Sequence, residues 1–294
     1  MSLPRVTVIC LCYNQERFVA EAILSVLYQT HPDIQLLVVD DASTDNSAAV
    51  IQALVRLHPQ INFLQRPENG GNCKSFNQAL LRAEGEYIID LAADDVLLPD
   101  RVSKGVAALT RAGDAYGVNF TDADWMAEDG TFLYRHSARF PHETIPQGDI
   151  YQDLIGRFFI CSPSMMIKRS VLDALGGYDE TLAYEDFDFW IRSSRIFEYC
   201  YTPEVLVKKR IVKNSMSHKQ FTLRSPQLKS TFRVCQKILD LNESKAEQKA
   251  LGGRILYEIK ICLRLLHFSL ALDYVKLYFK NVSLRYGTPP GATM

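Results

Sequence analysis

Short apolar runs alternate with segments of helical periodicity along the first third of the chain, and this alternation limits the folds that the chain can adopt. Four apolar runs predict buried strands over residues 6–12, 36–39, 61–65 and 87–91. Between them, apolar residues recur at every third or fourth position, which predicts helices over residues 16–29, 46–57 and 73–82. Strands that alternate with helices form parallel sheets with right-handed crossovers. The sequence therefore predicts an α/β fold with a mostly parallel central sheet and helices on both faces.

Polar residues follow the predicted strands at their carboxyl ends. They are Tyr13 and Asn14 after the first strand, Asp40 and Asp41 after the second, and Asp94 and Asp95 after the fourth. In an open α/β sheet, ligands bind beyond the carboxyl ends of the strands. Adjacent carboxylates repel each other unless a cation lies between them, and Mg²⁺-type sites combine one or two carboxylates with substrate phosphates. Asp94 and Asp95 therefore predict a site for a divalent metal and a diphosphate; the alternative is a solvated acidic turn that caps a helix near Pro99.

The rest of the chain predicts further elements and a change of composition. We expect a helix over residues 101–111, hairpin strands over 116–125 and 131–135, helices over 151–159 and 185–196, and an extended segment over 199–208. In residues 225–294, eleven Lys and Arg stand against five Asp and Glu, so this region carries +6, and the total of −1 leaves −7 for the rest. We predict an α/β domain over 1–224 and a helical C-terminal region over 225–294 with a disordered end.

The C-terminal region predicts long helices, notably over residues 255–279. Its leucines repeat on one face, which suits a helical cap packed on the α/β domain. The basic charge allows a second interpretation, an amphipathic surface that lies on an anionic membrane. That interpretation predicts a peripheral protein at the inner face of the membrane.

Composition argues against several classes of protein. The net charge of −1 is unlike the basic excess of nucleic-acid binders. The seven cysteines are scattered without a CxxC pair, which is typical of the reducing cytoplasm. The N-terminal residues lack the features of a signal peptide, and no long apolar run predicts a transmembrane helix.

Seven short motifs occur in a characteristic order. They are the strand at 6–14 that ends in Tyr-Asn, QTHP at 29–32, VVDDASTD at 38–45, NGG at 69–71 with Asn77, GEY at 85–87, GGYDE at 176–180 and the Glu-Asp pair at 185–186. Together they resemble the family 2 glycosyltransferases of the GT-A fold over roughly residues 4–220. This resemblance implies a nucleotide-sugar donor, a divalent metal (Mn²⁺ or Mg²⁺) and inversion at the anomeric carbon.

Inverting sugar transfer makes two chemical demands. The leaving diphosphate accumulates negative charge, which a cation must meet. The acceptor hydroxyl attacks the opposite face of the sugar and needs a carboxylate base there. The resemblance implies a UDP-linked donor and a saccharide or lipid-linked acceptor in bacterial surface polysaccharide synthesis, and a homodimer is a further possibility.

The resemblance assigns four residues to the donor nucleotide. Leu11 and Tyr13 fall where the family contacts the nucleoside, and Tyr13 could stack on the base instead of lying in the core. Asp41 falls where the family binds the base, and its carboxylate suits the imide N–H of uracil. Lys74 could reach the nucleotide, although an exposed lysine is more often only solvated. The neighbouring Asp40 could equally cap the following helix.

The resemblance assigns the chemistry to two acidic pairs. Asp94 corresponds to the last carboxylate of the family's D-x-D motif and is the first choice for the metal and the donor, with Asp95 second. Asp186 is the first choice for the catalytic base and Glu185 the next. A helix dipole alone also favours a carboxylate at a helix start.

Two departures from the family pattern leave an alternative open. Ala92 stands where the family usually has the first carboxylate, and Val212 stands where a histidine often supports the metal, a role that His218 or Lys213 could take. The alternative is a catalytically inactive scaffold or partner subunit. A dinucleotide-dependent or nucleotidyltransfer enzyme is disfavoured because the first loop lacks a Gly-rich pattern. The D-x-D patterns at 122–124 and 186–188 are rejected as metal sites by their context.

Overall fold

The computed structural model describes residues 3–140, 144–212 and 225–286. The chain divides into two compact units. The first contains Met1–Asp149, Phe159–Thr181 and Ile196–Val212, and the second contains Ile150–Phe158, Leu182–Arg195 and Lys213–Met294. The second unit therefore includes two segments that precede residue 225, and the boundary expected at residue 224 stays a prediction.

A nine-stranded sheet organises the first unit. Its strands are β1 (Val6–Cys12), β2 (Ile34–Asp40), β3 (Asn62–Gln65), β4 (Tyr87–Ala92), β5 (Val96–Leu97), β6 (Tyr116–Met126), β7 (Phe132–Arg135), β8 (Met166–Lys168) and β9 (Glu198–Arg210). Their spatial order is β3-β2-β1-β4-β8-β6-β9-β5, and β7 pairs with β6. Strands β1 to β4 are parallel, β8 is antiparallel to both of its neighbours, and β6 is parallel to β9. The predicted α/β fold is confirmed.

Ten α-helices lie in the described ranges. They are α1 (Val19–Leu27), α2 (Ser47–Leu57), α3 (Asn72–Leu80), α4 (Arg101–Ala112), α5 (Tyr151–Gly156), α6 (Arg169–Leu175), α7 (Asp186–Ser194), α8 (Pro226–Leu241), α9 (Lys245–Arg264) and α10 (Phe268–Tyr286). Helices α1 to α4 and α6 belong to the first unit, and the other five belong to the second.

Strand β1 is the centre of the first core because it lies between β2 and β4. Its side chains Val6, Val8 and Cys10 are fully buried in one cluster with Val19 and Ile23 of α1. Burial of each such aliphatic side chain stabilises the fold by roughly 1.5–3 kcal/mol. A strand that is covered on both faces must be apolar throughout, which explains the continuous run at its position.

The second unit has a core of aromatic rings around one buried ion pair. Phe158 contacts Phe187 edge-on with the ring centroids 4.9 Å apart. The Arg254 guanidinium lies 4.3 Å from the Phe158 centroid and forms a 2.8 Å ion pair with Glu258. Both members of this pair are buried, so the charges are compensated where the helices pack.

The long helix expected over residues 255–279 is wrong, because the chain turns at Leu266. Helix α9 ends at Arg264 and α10 begins at Phe268. Leu266 adopts φ +54°, His267 N donates to Cys262 O at 2.8 Å, and Leu266 N donates to Leu263 O at 3.1 Å. These two bonds form the Schellman motif that commonly ends helices, here with leucine at the left-handed position that usually holds glycine.

Candidate active site

Asp94 and Asp95 occupy the turn between β4 and β5, at the rim where the parallel strands end. Asp95 is buried, and its Oδ1 accepts a 2.8 Å hydrogen bond from the backbone N–H of Arg210. Burial and, after it, the neighbouring Asp94 raise the pKa of Asp95 to about 8. Burial also raises the pKa of the half-buried Asp94, against the opposite effect of Lys209 and Arg210. A cation beside the pair would favour the charged forms of both carboxylates and so oppose this rise in pKa.

Arg210 joins this turn to three other parts of the first unit. Its Nε donates to Asp94 O at 3.1 Å, and its Nη1 donates to Glu128 O at 2.9 Å. Its Nη2 forms a 2.5 Å ion pair with Glu21 of α1, and its guanidinium lies 4.7 Å from the ring centroid of Phe18. The sequence predicted no role for Arg210, although it lies two residues before Val212, where the family often has a histidine. Its contacts fix the backbone that carries both carboxylates.

Hydrogen bonds lock the loops after β1 and β2 together beside this turn. The Asn14 N–H donates to Ser43 Oγ at 2.9 Å, the Thr44 N–H donates to Asn14 Oδ1 at 2.7 Å, and the Gln15 N–H donates to Ser47 Oγ at 2.8 Å. Asn14 has φ +54°, a left-handed conformation that is uncommon outside glycine and concentrates at functional sites. The two loops, residues 13–15 and 43–47, therefore form one rigid surface.

The residues that the sequence predicts to contact the nucleoside lie at this surface. Leu11 is half-buried at the end of β1, and Tyr13 is 47% exposed, so Tyr13 is not a core aromatic. Asp40 is fully buried, and its Oδ2 accepts a bond from the Ser43 N–H rather than from the first turn of α2. An exposed tyrosine on a rigid loop can stack on a planar nucleobase.

Asp41 is a buried anchor for the glycine turn that follows β3. Its Oδ1 accepts bonds from Arg66 Nη1 at 2.8 Å and from the Gly70 N–H at 2.9 Å, and its Oδ2 accepts a bond from the Gly71 N–H at 2.9 Å. Gly71 has φ +83°, which explains the glycine. Lys74 follows in the first turn of α3 and is exposed. The structure thus gives Asp41 a positioning role, and base recognition by Asp41 stays a prediction.

The Asn77 and GGYDE motifs bind each other. Asn77 Oδ1 accepts a 2.9 Å bond from the Tyr178 N–H, and Asn77 Nδ2 donates to Tyr178 O at 2.9 Å. A Cβ on Gly177 would lie 2.5 Å from Asn77 Oδ1, so a side chain cannot fit there. The Tyr178 hydroxyl donates to Asp90 of β4 at 3.1 Å. Two motifs that are distant in sequence therefore fix one face of the strand that leads to Asp94.

Glu185 and Asp186 begin α7 in the second unit. Asp186 Oδ1 accepts a 2.8 Å bond from the Phe187 N–H, and both acids are half-buried. Asp188 is buried in ion pairs with Arg192 at 2.6 Å and Lys237 at 2.5 Å, which supports its rejection as a metal ligand. The role of Asp186 or Glu185 as the base stays a prediction.

Two further findings concern metal and membrane. Within the ranges that the structure describes, no three or more His, Cys, Asp or Glu side chains are grouped so that they could hold a metal ion. In the same ranges, no helix is long and apolar enough to cross a membrane. The proposed substitutes for the missing histidine, Lys213 and His218, lie outside the described residues.

The two carboxylates of the D-x-D pattern at 122–124 are held by local hydrogen bonds and an ion pair. Asp122 Oδ2 accepts a 2.6 Å bond from the Ser137 hydroxyl, and its Oδ1 accepts a bond from the Ser137 N–H at 3.0 Å. Asp124 forms a 3.1 Å ion pair with Arg135 on β7. Both carboxylates thus stabilise the hairpin of β6 and β7.

Comparisons with known proteins agree with this geometry. The model of glycosyl transferase family 2 matches residues 7–176. TuaG of Bacillus subtilis, whose name links it to teichuronic acid biosynthesis, is 29% identical over 244 residues that cover 83% of this chain and 92% of TuaG. EpsE of the same organism, named as a glycosyltransferase, is 30% identical over 240 residues that cover 80% of this chain and 83% of EpsE.

Solved structures show the same fold at low identity. A mannosyltransferase from Pyrobaculum calidifontis, solved with GDP-Man and Mn²⁺, superposes with a TM-score of 0.65 at 17% identity and covers 97% of this chain and 86% of that one. Residues 1–349 of TarS from S. aureus, solved with UDP-GlcNAc, superpose with a TM-score of 0.64 at 17% identity and cover 97% of this chain and 92% of that one. These likenesses confirm the predicted GT-A fold.

Proposed function

Because the chain belongs to glycosyl transferase family 2 and is thus a glycosyltransferase, we propose that it transfers a sugar from a UDP-linked donor with inversion at the anomeric carbon. The acceptor is a saccharide or a lipid-linked glycan of a bacterial surface polysaccharide. The observation that carries the donor site is the carboxylate pair Asp94 and Asp95, held by Arg210 at the rim of the sheet. The name of TuaG supports the proposed class of acceptor. The complex of TarS with UDP-GlcNAc supports uracil as the base of the donor nucleotide.

The residues at the rim fit a divalent metal that is shared with the donor. Carboxylate oxygens are hard ligands, and Mg²⁺ or Mn²⁺ in such sites takes one or two of them together with phosphate oxygens. The two adjacent acids match that demand. When bound, the ion neutralises charge on the leaving diphosphate. Asp94 is the proposed principal ligand and Asp95 the second. Both carboxylates are present in this chain, although Ala92 stands where the family usually has a further one.

The residues around the pair orient the donor and add positive charge. Lys209 precedes Arg210 on β9, and its positive charge opposes the burial that raises the pKa values of Asp94 and Asp95, so we assign its ammonium to the diphosphate. Tyr13 stacks on the base, and Leu11 contacts the nucleoside. Asp41 fixes the glycine turn that presents Lys74 to the nucleotide.

We assign the removal of the acceptor proton to Asp186, with Glu185 as the second choice. Asp186 is the first residue of α7, where the helix dipole favours a negatively charged side chain. The acceptor oxygen then attacks the anomeric carbon while the bond to the diphosphate breaks on the opposite face. An inactive scaffold remains the alternative, and turnover distinguishes it.

Calorimetry with nucleotides tests this proposal directly. We expect one nucleotide among UDP, GDP, dTDP, CMP and NAD to bind, more tightly with Mn²⁺ than without it, and we expect UDP. Asp94→Asn should abolish the Mn²⁺ enhancement because the principal ligand loses its charge. The matched control is Asp124→Asn, which neutralises a carboxylate on the same sheet and should keep the enhancement. Binding of no diphosphate by the folded protein would refute the donor site and favour the scaffold.

The exposed faces of α9 and α10 support peripheral contact with a membrane. On α10, Phe268, Leu272 and Phe279 are 63%, 56% and 66% exposed and repeat at helical spacing on one face. On α9, Leu256 and Leu263 are about half exposed. Lysines flank this apolar surface, whereas Glu247 and Glu258 of α9 are buried and Asp273 pairs with Lys276. We propose that it lies on an anionic membrane, and the cytoplasmic location and the homodimer stay predictions.

A further inference from the structure

Three side chains form a row across neighbouring strands of the first unit. Trp125 of β6 is paired in register with Lys209 of β9 on one side and with Tyr134 of β7 on the other. The Lys209 ammonium lies 5.0 Å from the Trp125 ring centroid. The Tyr134 ring stacks on Trp125 with the centroids 5.3 Å apart and the planes at 18°. Paired residues on adjacent strands share a face of the sheet, so the three side chains form a continuous surface.

Hydrogen bonds hold Trp125 in one orientation. Its indole Nε1 donates to His136 Nδ1 at 3.2 Å, and the planes of the two rings are within 7° of parallel. His136 Nε2 in turn donates to the Phe159 carbonyl at 2.9 Å, and the histidine is buried. Burial lowers the pKa of His136, which favours the neutral ring with Nδ1 as the acceptor. A buried relay therefore fixes a partly exposed indole, as expected for a binding platform rather than for a core residue.

The adjoining strand leaves aromatic surface open to solvent. All four residues of β7 are exposed, and Phe132, Leu133 and Tyr134 are 58%, 45% and 37% exposed. Tyr134 pairs with Trp125, whereas Phe132 pairs with Met126 across a register shift, so Tyr134 is the β7 aromatic that shares the face of Trp125. The ion pair of Asp124 and Arg135 belongs to the neighbouring register position, away from the stacked rings.

The row begins at the proposed donor site. Lys209 influences both Asp94 and Asp95 electrostatically, and the next residue, Arg210, binds Asp95 through its backbone N–H. Strands in a sheet are spaced by about 4.8 Å, so Tyr134 on β7 is two strand spacings, roughly 10 Å, from Lys209 on β9.

We propose that the exposed edge of this row, formed by Trp125 and Tyr134 with Lys209 beside them, is the subsite for the acceptor saccharide. A pyranose ring presents C–H groups on its faces and hydroxyl groups at its rim. Tyr134 and Lys209 cover the two faces of the Trp125 indole, so the C–H groups of the sugar lie across the exposed edges of the two rings, and a hydroxyl oxygen can accept a hydrogen bond from the ammonium of lysine. The inference rests on the proposed function, because it names the acceptor that the proposed donor site would serve.

Tryptophan fluorescence provides a direct test. The chain has two tryptophans, so Trp125 is the only one in the Trp190→Phe variant. We would titrate that variant with methyl glycosides of glucose, galactose, N-acetylglucosamine and glucuronic acid. We expect a saturable fluorescence change with at least one glycoside. Tyr134→Ala should weaken the binding of this glycoside by about tenfold, because it removes one ring of the row. Tyr134→Phe should restore the binding.

Two controls separate this inference from the proposed function. Tyr28→Ala removes another exposed aromatic ring, 70% exposed on the same unit, and should leave glycoside binding unchanged. Nucleotide binding with Mn²⁺ is measured on the same proteins, and Tyr134→Ala should leave it unchanged. Nucleotide binding without any glycoside-dependent change would overturn the subsite and keep the donor site. Glycoside binding without nucleotide binding would keep the subsite as a saccharide surface and refute the donor site.

Discussion

At the scale of single residues, Asp41 shows how one buried carboxylate organises a loop. Three donors bind it, from Arg66, Gly70 and Gly71, and the side chains of both members of the ion pair are largely buried at 8% and 12% exposure. Removing one charge from a buried pair leaves its partner uncompensated, which costs more than the pair itself contributes. The glycine turn and α3 depend on this anchor.

Asp41→Asn should therefore destabilise the protein by about 2 kcal/mol, measured as the shift of the urea unfolding midpoint. The matched control is Glu84→Gln, which removes a carboxylate from the exposed pair with Arg5, where the side chains are 61% and 44% exposed. An exposed pair contributes little, so we expect a change below about 0.5 kcal/mol. Equal effects of the two variants would contradict the anchoring role.

At the scale of secondary structure, the sequence was most informative where neighbours along the chain are neighbours in the sheet. Strands β1, β2 and β3 follow each other through short helices and pair in that order, so local periodicity predicts both these strands and their parallel pairing. Strand β4 instead pairs with β1, so that Val6 lies beside Tyr87. The pairing of β6 with β9 joins residues about eighty positions apart, such as Asn119 and Cys200, and no local pattern reports it. The contacts of Arg210 and the row at Trp125 depend on that pairing, which is why sequence analysis missed both.

The turn between α9 and α10 was missed for a different reason. Apolar residues keep their helical spacing through Leu266, and neither glycine nor proline marks the break. The chain turns because the Schellman bonds at Leu266 and His267 satisfy carbonyls at the end of α9. A leucine in the left-handed conformation costs roughly 1–2 kcal/mol.

Leu266→Gly should consequently stabilise the protein by about 1 kcal/mol, because glycine adopts φ +54° without the steric cost. Leu266 is 66% exposed, so little burial is lost. The control is Leu265→Gly at φ −93°, where glycine only adds freedom to the unfolded chain and should destabilise. Thermal unfolding of both variants checks the difference, and a loss of stability at both positions would show that Leu266 carries no strain.

At the scale of the whole molecule, charge and apolar surface are distributed unevenly along the chain. Residues 225–294 carry +6 while the rest carries −7. Helices α9 and α10 pack against each other, with Gly252 of α9 close to Tyr278 and Asn281 of α10. We call the exposed apolar side chains of the two helices the hairpin surface; they are Leu256, Leu263, Phe268, Leu272 and Phe279. An apolar surface with basic flanks suits an anionic bilayer.

We expect the protein to co-sediment with vesicles of phosphatidylcholine that contain one-third phosphatidylglycerol, and to bind pure phosphatidylcholine vesicles far more weakly. Each charge near an anionic surface contributes about 1 kcal/mol, so the two-unit charge change of Lys260→Glu or Lys280→Glu should reduce binding by roughly thirtyfold. Phe279→Ser should weaken binding to vesicles of either composition, because it removes apolar area. The matched control is Phe132→Ser, an exposed phenylalanine on β7.

A second copy of the chain is the competing occupant of the hairpin surface, and light scattering separates the two cases. If the protein is a dimer that Phe279→Ser converts to a monomer, while vesicle binding is absent, the surface is a subunit interface and the membrane proposal is refuted. If the protein binds anionic vesicles and its mass in solution is insensitive to Phe279→Ser, the surface faces lipid. In that case a lipid-linked acceptor would be delivered in the plane on which the enzyme already lies, and the encounter would no longer depend on extracting the acceptor from the bilayer.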